Sequence, residues 1–196
     1  MVKFIEDDQF GGVSTIKVDD KGRINLPIEF RRVLETRQRK FGKPAPGEIE
    51  NASGRKKANA GQDEEEDYSQ FLVLTLGKRT SHIECYPLDV WEKTKEWLLG
   101  LDDDNDGDRL RKYILGNREI REIDKLGRVL LSQELRDIAG IGTGEIKVMG
   151  FGETFGIWAK EIFETRVNVK GNEVEMGDLW SQFKKKSKEK PNLGFE

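Results

Sequence analysis

The sequence predicts a β-rich α+β protein built from two copies of one small module, with short helices flanking the strands. Three observations predict it. Residues 14–34 (STIKVDDKGRINLPIEFRRVL) align without a gap onto residues 119–139 (EIREIDKLGRVLLSQELRDIA). Within that alignment Asp19/Asp124, Gly22/Gly127, Arg23/Arg128, Leu26/Leu131, Glu29/Glu134 and Arg31/Arg136 are identical pairs. Further on, IECYPLDVW (83–91) parallels FGIWAKEIF (155–163), which sets Tyr86 against Trp158 and Trp91 against Phe163. Self-similarity of this kind means one supersecondary unit used twice.

Each element follows from local chemistry. Ile16 and Val18 alternate with Thr15 and Lys17, the period of a strand. Asp19-Asp20-Lys21-Gly22 reads as a tight turn, with an acceptor side chain first and a glycine last. Ile24 and Leu26 restart the alternation, and Pro27 pre-sets the backbone for a helix start. The stretch IEFRRVLETRQRK (28–40) then puts Phe30, Val33 and Leu34 on one helical face. In the second copy Ser132 stands at the helix start and Gly140 at its end, both suited to those places. FLVLTL (71–76) and EIKVMGF (145–151) are the apolar strands that follow. Between the copies, Asp89-Val90-Trp91-Glu92 suggests a capping box opening a helix that runs to Gly100, and a second helix is expected over about 109–115. Residues 36–70 fit neither copy and show no burial period, so they read as a loop inserted in the first copy; the tail KKKSKEKPNLGFE reads as solvated.

Composition narrows the function classes. Charged residues make up 36% of the 196, well above the globular norm of about 25%. They nearly cancel, giving a net charge of -3, so any polyanion site must be local. A single cysteine, Cys85, excludes an internal disulfide and a thiolate metal cluster. A single histidine, His82, excludes multi-histidine zinc sites and reads as a loop or strand-edge residue, since no G-x-S-x-G elbow accompanies Ser81. The longest apolar runs fall far short of the roughly 18 residues of a membrane span. MVKFIEDDQF lacks a signal-peptide core. We therefore expect a soluble intracellular protein with no catalytic centre, no metal and no cofactor.

The repeated D-x-x-G-R is the sharpest chemical feature. A glycine-tightened turn presents the arginine at the start of a strand, and the aspartate lies close enough to orient the guanidinium or hold the turn. A turn needs the aspartate and glycine but not the arginine, so its repetition points to use of the arginine fork on phosphate or on guanine O6/N7. Asp19, Gly22, Asp124 and Gly127 support the motif, and Lys21, Arg31, Arg32 and Arg37 make the first copy locally basic. Asp102–Gly107 (DDDNDG) matches the first half of an EF-hand loop, but the twelfth position is Tyr113 rather than glutamate. A solvated acidic loop whose last aspartates cap the next helix is the better account. Gly150, Gly152 and Gly156 lack dinucleotide-fingerprint spacing and read as a β-turn. Cys85 alternates with Ile83 as a small core residue, and Tyr86, Trp91, Trp97 and Trp158 read as core or subunit packing rather than base-stacking residues.

With these residues in view, the sequence resembles the MraZ family of bacterial regulators. The likeness rests on FGGVSTIKVDDKGRINLPIEFR (10–31), CYPLDVWE (85–92), EIDKLGRVLLSQELRDIAGI (122–141) and VMGFGETFGIW (148–158). The resemblance implies two pseudo-symmetric SpoVT-AbrB modules of the swapped-hairpin, double-psi-barrel-like type. Module 1 would span 12–91 with the insertion 36–70, a helical connector 92–117, module 2 118–164, and a C-terminal helix and basic tail 165–196. It further implies a cytoplasmic, nucleoid-associated transcription regulator, not an enzyme. Such a protein would assemble as a homo-oligomeric ring and bind direct repeats in the double-stranded promoter DNA of the division and cell-wall gene cluster. Arg23 and Arg128 would be the DNA contacts, with Lys21 beside the first and Lys125 placed by position beside the second. Asp20, a negative charge next to the first motif, and the insertion with its acidic run DEEED (63–67) depart from the family pattern. They favour an alternative, an oligomeric interaction ring with reduced or lost DNA binding.

Overall fold

The computed structural model describes residues 8–41, 70–77 and 81–167. The alternating stretch forms β1 (Val13–Val18), and the tight turn delivers the chain into β2 (Arg23–Asn25), where Ile24 points inward. The Pro27 carbonyl accepts from the Arg31 amide at 3.1 Å, so α1 (Ile28–Phe41) begins one residue beyond the proline and buries Phe30, Val33 and Leu34. Two apolar strands, β3 (Gln70–Leu76) and β4 (Ile83–Pro87), precede α2 (Leu88–Leu99) and α3 (Asn105–Gly116). The second copy repeats the plan with β5 (Glu119–Ile123), β6 (Arg128–Leu130), α4 (Gln133–Ala139), β7 (Gly144–Gly150) and β8 (Phe155–Ala159). A short α5 (Lys160–Ile162) then runs into one π-helical turn, Phe163–Val167.

The eight strands form one antiparallel sheet in the order β5-β3-β4-β8-β7-β1-β2-β6. Its two ends, β5 and β6, are joined by the second turn, where the Asp124 amide donates to the Arg128 carbonyl at 2.9 Å, so the sheet curls into a nearly closed barrel. Exchanging β1–β4 for β5–β8 maps this order onto itself, a pseudo-two-fold that passes between β4 and β8 on one side and β2 and β6 on the other. The copies interleave rather than sit side by side: β1 pairs with β7 over six register positions, and β5 pairs with β3 over five. By contrast, β1 and β2 share the single pair Val18↔Ile24. Because each copy's first strand completes the other's sheet, half of the chain alone leaves backbone donors and acceptors unpaired.

The barrel interior holds one apolar cluster, anchored by Phe10, Phe30 and Phe155 with ring centroids 5.0–5.3 Å apart. A second cluster lies under α2 and α3, where Val73, Tyr86, Trp91, Leu98 and Ile114 meet. The downstream half of the repeat is visible in the packing. Tyr86 meets Trp91 edge-on at 5.5 Å, and Trp158 meets Phe163 edge-on at 5.7 Å.

Several local expectations change. Asp89 does not cap α2, whose N-cap is Pro87 with no side-chain bond; its carboxylate instead faces Arg37. The acidic stretch does cap a helix, but earlier than expected: Asp104 accepts from the Gly107 amide at 2.7 Å and α3 starts at Asn105. Asp103 pairs with Arg111, and residues 105–107 are already helical, so the half EF-hand pattern is spent on a helix start. At the start of the stretch 36–70, α1 continues to Phe41, and at its end Gln70 is already strand. Residues 42–69 and the tail 168–196 lie outside the described residues. Trp97 is 54% exposed on α2 and is not a core residue. Ser132 and Gly140 do what the sequence suggests: the serine hydroxyl accepts from the Leu135 amide at 3.1 Å, and the glycine closes α4 at φ 67°.

Candidate nucleic-acid interface

The two D-x-x-G-R turns are built alike. In the first, Asp19 Oδ1 accepts from the amides of Lys21 (2.9 Å) and Arg23 (2.8 Å), while Oδ2 accepts from Arg23 Nε (2.8 Å) and lies 2.7 Å from Nη2. In the second, Asp124 Oδ1 accepts from the amides of Leu126 and Arg128, both at 2.9 Å, and Oδ2 accepts from Arg128 Nε at 2.7 Å. One carboxylate oxygen shapes each turn and the other aims its arginine. Gly22 and Gly127 both sit at φ 78°, a left-handed conformation that side chains resist, and donate to the Asp19 and Asp124 carbonyls. These bonds hold the Asp19 carboxyl down at about 2, chiefly through the Arg23 side chain. For Asp124, burial pushes the carboxyl up, but the backbone and side-chain bonds from Arg128 outweigh it and hold the group below its ordinary value. Both acids are therefore ionised at neutral pH. Each arginine is a pre-aimed fork whose remaining donors are available for a ligand.

The fold brings the two forks together. β2 and β6 pair antiparallel with Arg23 opposite Leu130, Ile24 opposite Val129 and Asn25 opposite Arg128. Ile24 and Val129 are buried, so Arg23, Asn25, Arg128 and Leu130 share the outward face. Arg23 and Arg128 are diagonal neighbours there, within reach of each other's long side chains. Their side chains are 33% and 35% exposed. Lys21 and Lys125 are exposed at the turn tips, one alignment position apart.

A second pair of arginines supports this face from behind. A Cβ on Gly127 would lie 2.5 Å from the Arg31 side chain, and one on Gly22 would lie 3.2 Å from Arg136 Nε. Thus the helix arginine of each copy tucks under the turn of the other. The same reciprocity appears in the backbone, where Leu26 N donates to the Gly127 carbonyl (3.0 Å) and Leu131 N to the Gly22 carbonyl (2.9 Å). Arg136 is buried and donates through Nε to the Leu131 carbonyl and through Nη2 to Gln133. Sequence reasoning counted Arg31 only as local basic charge. The signal that could have found this role was the identity Arg31/Arg136 in the repeat.

Arg37 also leaves the basic surface. It is 2% exposed, with Nη2 2.5 Å from Asp89 and 3.5 Å from Glu153, and Nη1 donating to the Asp8 carbonyl at 2.7 Å. It ties α1 to α2 and to the β7–β8 turn. His82 is buried just before β4, stacked on Trp158 at 4.5 Å, and its ring packs against Gly77. Cys85 is fully buried, and burial pushes its thiol well above the ordinary range. Gly152, at φ 97°, lies in the turn between β7 and β8, where Phe151 N donates to the Thr154 carbonyl. Among the described residues no three acidic, histidine or cysteine side chains gather as metal ligands, and no helix is long and apolar enough to cross a membrane.

No protein-family model matches the chain. Curated proteins do. The chain is 29% identical to the transcriptional regulator MraZ of Haemophilus influenzae (strain PittEE) over 86% of its own length and 89% of that protein's. It is 26% identical to MraZ of Ruegeria sp. (strain TM1040), covering 87% and 84%, and 28% identical to MraZ of Chromobacterium violaceum, covering 80% and 84%. A repeated turn-and-arginine motif thus goes with a likeness to the MraZ transcriptional regulators over most of the chain.

Proposed function

We propose that this chain is a sequence-specific DNA-binding transcriptional regulator, not an enzyme, that meets duplex DNA with the outward face of the β2–β6 pair. One observation carries the reading: two arginines, each held by its own aspartate in the same turn geometry, lie diagonally on one outward face of a two-stranded antiparallel pair. A two-stranded ribbon fits the major groove, and a fixed guanidinium fork suits guanine O6/N7 or a phosphate. Arg23 and Arg128 are the direct contacts. Lys21 and Lys125 at the turn tips supply phosphate attraction, and Asp19, Gly22, Asp124 and Gly127 hold the turns. Because each arginine is paired with an aspartate, its long-range pull is small and its geometry does the selecting.

The interleaved strands, in which each copy's first strand joins the other's third, support the swapped-hairpin SpoVT-AbrB architecture of the resembling family. By the same likeness we propose a homo-oligomeric ring acting in the cytoplasm at the nucleoid. The ring binds direct repeats in the promoter of the division and cell-wall gene cluster. A ring also reconciles DNA binding with a net charge of -3. Several weak protomer contacts combine through effective concentration, raising avidity by about 10² or more. The test is an electrophoretic shift of the chain's own upstream DNA against a scrambled duplex over a salt series. Specific, salt-sensitive retardation supports the reading. An intact oligomer with no specific shift favours the interaction ring, to which Asp20 beside the first motif would then belong.

A further inference from the structure

The outward face of β2–β6 is symmetric in its arginines and asymmetric in everything beside them. The pseudo-two-fold exchanges Arg23 with Arg128, and it also exchanges Asn25 with Leu130. Arg23 therefore stands opposite an exposed leucine, while Arg128 stands opposite an exposed asparagine. The turn tips also break the symmetry, with Asp20-Lys21 at the Arg23/Leu130 end and Lys125-Leu126 at the Arg128/Asn25 end. Leu130, 44% exposed, places an apolar side chain on the strand at the Arg23 end, whereas Leu126, 63% exposed, lies on the turn tip at the opposite end, beside Arg128 and Asn25.

We propose that Asn25 and Leu130 are specificity-determining residues that make the face read a base pattern without dyad symmetry. The proposal rests on the DNA-binding reading above. Asn25 carries a donor and an acceptor on one planar amide, the set that pairs with adenine N6 and N7 in the major groove. Leu130 has no polar atom on its side chain and suits the C5-methyl of thymine. Both follow their strands out of the same turns that aim the arginines, so each lies within one cross-strand step of a guanidinium. The arginines would then supply contacts common to both ends of the site, and the Asn25/Leu130 pair would set the direction in which the site is read.

The experiment compares base preferences of the full chain and its variants on a randomised duplex pool, with the chain's own upstream fragment as reference. Circular dichroism confirms that each variant is folded; both positions are exposed, so the barrel interior is untouched. Asn25→Leu is expected to lose about ten-fold of discrimination for adenine at one position while keeping its affinity for scrambled duplex. Leu130→Asn should lose the thymine preference at the other end. Asn25→Leu combined with Leu130→Asn should invert the orientation of the preferred site. Preferences that stay unchanged in all three variants, while Arg23→Ala/Arg128→Ala abolishes binding, would overturn this assignment and leave the DNA-binding reading standing. Wild-type binding by the folded double-arginine variant would overturn both.

Discussion

The turn at Asp19–Arg23 and the turn at Asp124–Arg128 differ at their tips and agree at their bases. Both use one aspartate oxygen for two backbone amides and the other for an arginine, and both close on a glycine at φ 78°. The tips read Asp20-Lys21 in one and Lys125-Leu126 in the other. What is held constant is what the turn and its arginine need, and what varies is exposed. The two ends of the β2–β6 face thus share one scaffold but need not meet the same ligand surface.

The largest expected effect on stability comes from breaking the scaffold at its most crowded point. A Cβ on Gly22 would lie 2.9 Å from the Leu131 carbonyl, which is backbone in a strand-to-helix connection, whereas a Cβ on Gly127 would meet the flexible Arg31 side chain. Both substitutions also meet the left-handed φ. Gly22→Ala should therefore destabilise by about 2–4 kcal/mol and Gly127→Ala by about 1–2 kcal/mol, read from denaturant unfolding. Equal losses would show that Arg31 is as unyielding as backbone.

A loss close to that of Gly22→Ala is expected at Arg37. It has no counterpart in the second copy, where the aligned residue is Gly142. Removing it leaves the largely buried Asp89 carboxylate without its partner. Arg37→Ala should destabilise by about 2–4 kcal/mol in thermal or denaturant melts. A change within about 0.5 kcal/mol would place Arg37 among ordinary surface residues.

The tips give a smaller effect, on binding alone. Lys21→Ala and Lys125→Ala should each lower the slope of log affinity against log salt by about one, with little change in stability. A lysine whose loss leaves the slope unchanged is not a phosphate contact, and a difference between the two would sharpen the asymmetry of the face.

The smallest effect concerns pH. Both motif aspartates are ionised in the folded state with their carboxyls below the ordinary value, Asp19 at about 2. Their contribution is fully present above the ordinary aspartate range near 4 and is lost as pH falls through the folded value. Between pH 5 and 8 these two groups should leave stability flat. The Arg23 Nε–H resonance should shift only on acidification toward pH 2, and a midpoint near 4 would mean that Asp19 does not hold it.

Much of the site was legible because its chemistry is local. The turn, the arginine after it, the Ser132 cap and the Gly140 stop each depend on residues within a few positions. The partners of each strand were not legible, because alternation in residues 13–18 announces a strand without saying that β7 completes it. The same limit hid Arg37. On a helix whose neighbours are Arg31, Arg32 and Arg39 it reads as solvated charge, and its acceptors come from Asp8, Asp89 and Glu153, far away in sequence. The acidic run 102–106 announces a helix cap but not its place: Asp104 is the N-cap, as aspartates at the end of such a run suggest, yet α3 starts at Asn105 beneath the charges rather than near 109.

If Arg23 and Arg128 act together from one face, the binding of the chain's upstream duplex by Arg23→Ala, Arg128→Ala and the double variant will show it. Each single substitution should weaken specific binding severely and the double substitution should abolish it, with the fold and oligomeric state retained and at most a small drop in melting temperature from the lost aspartate bonds. A folded double variant that binds the specific duplex as the wild type does would contradict it.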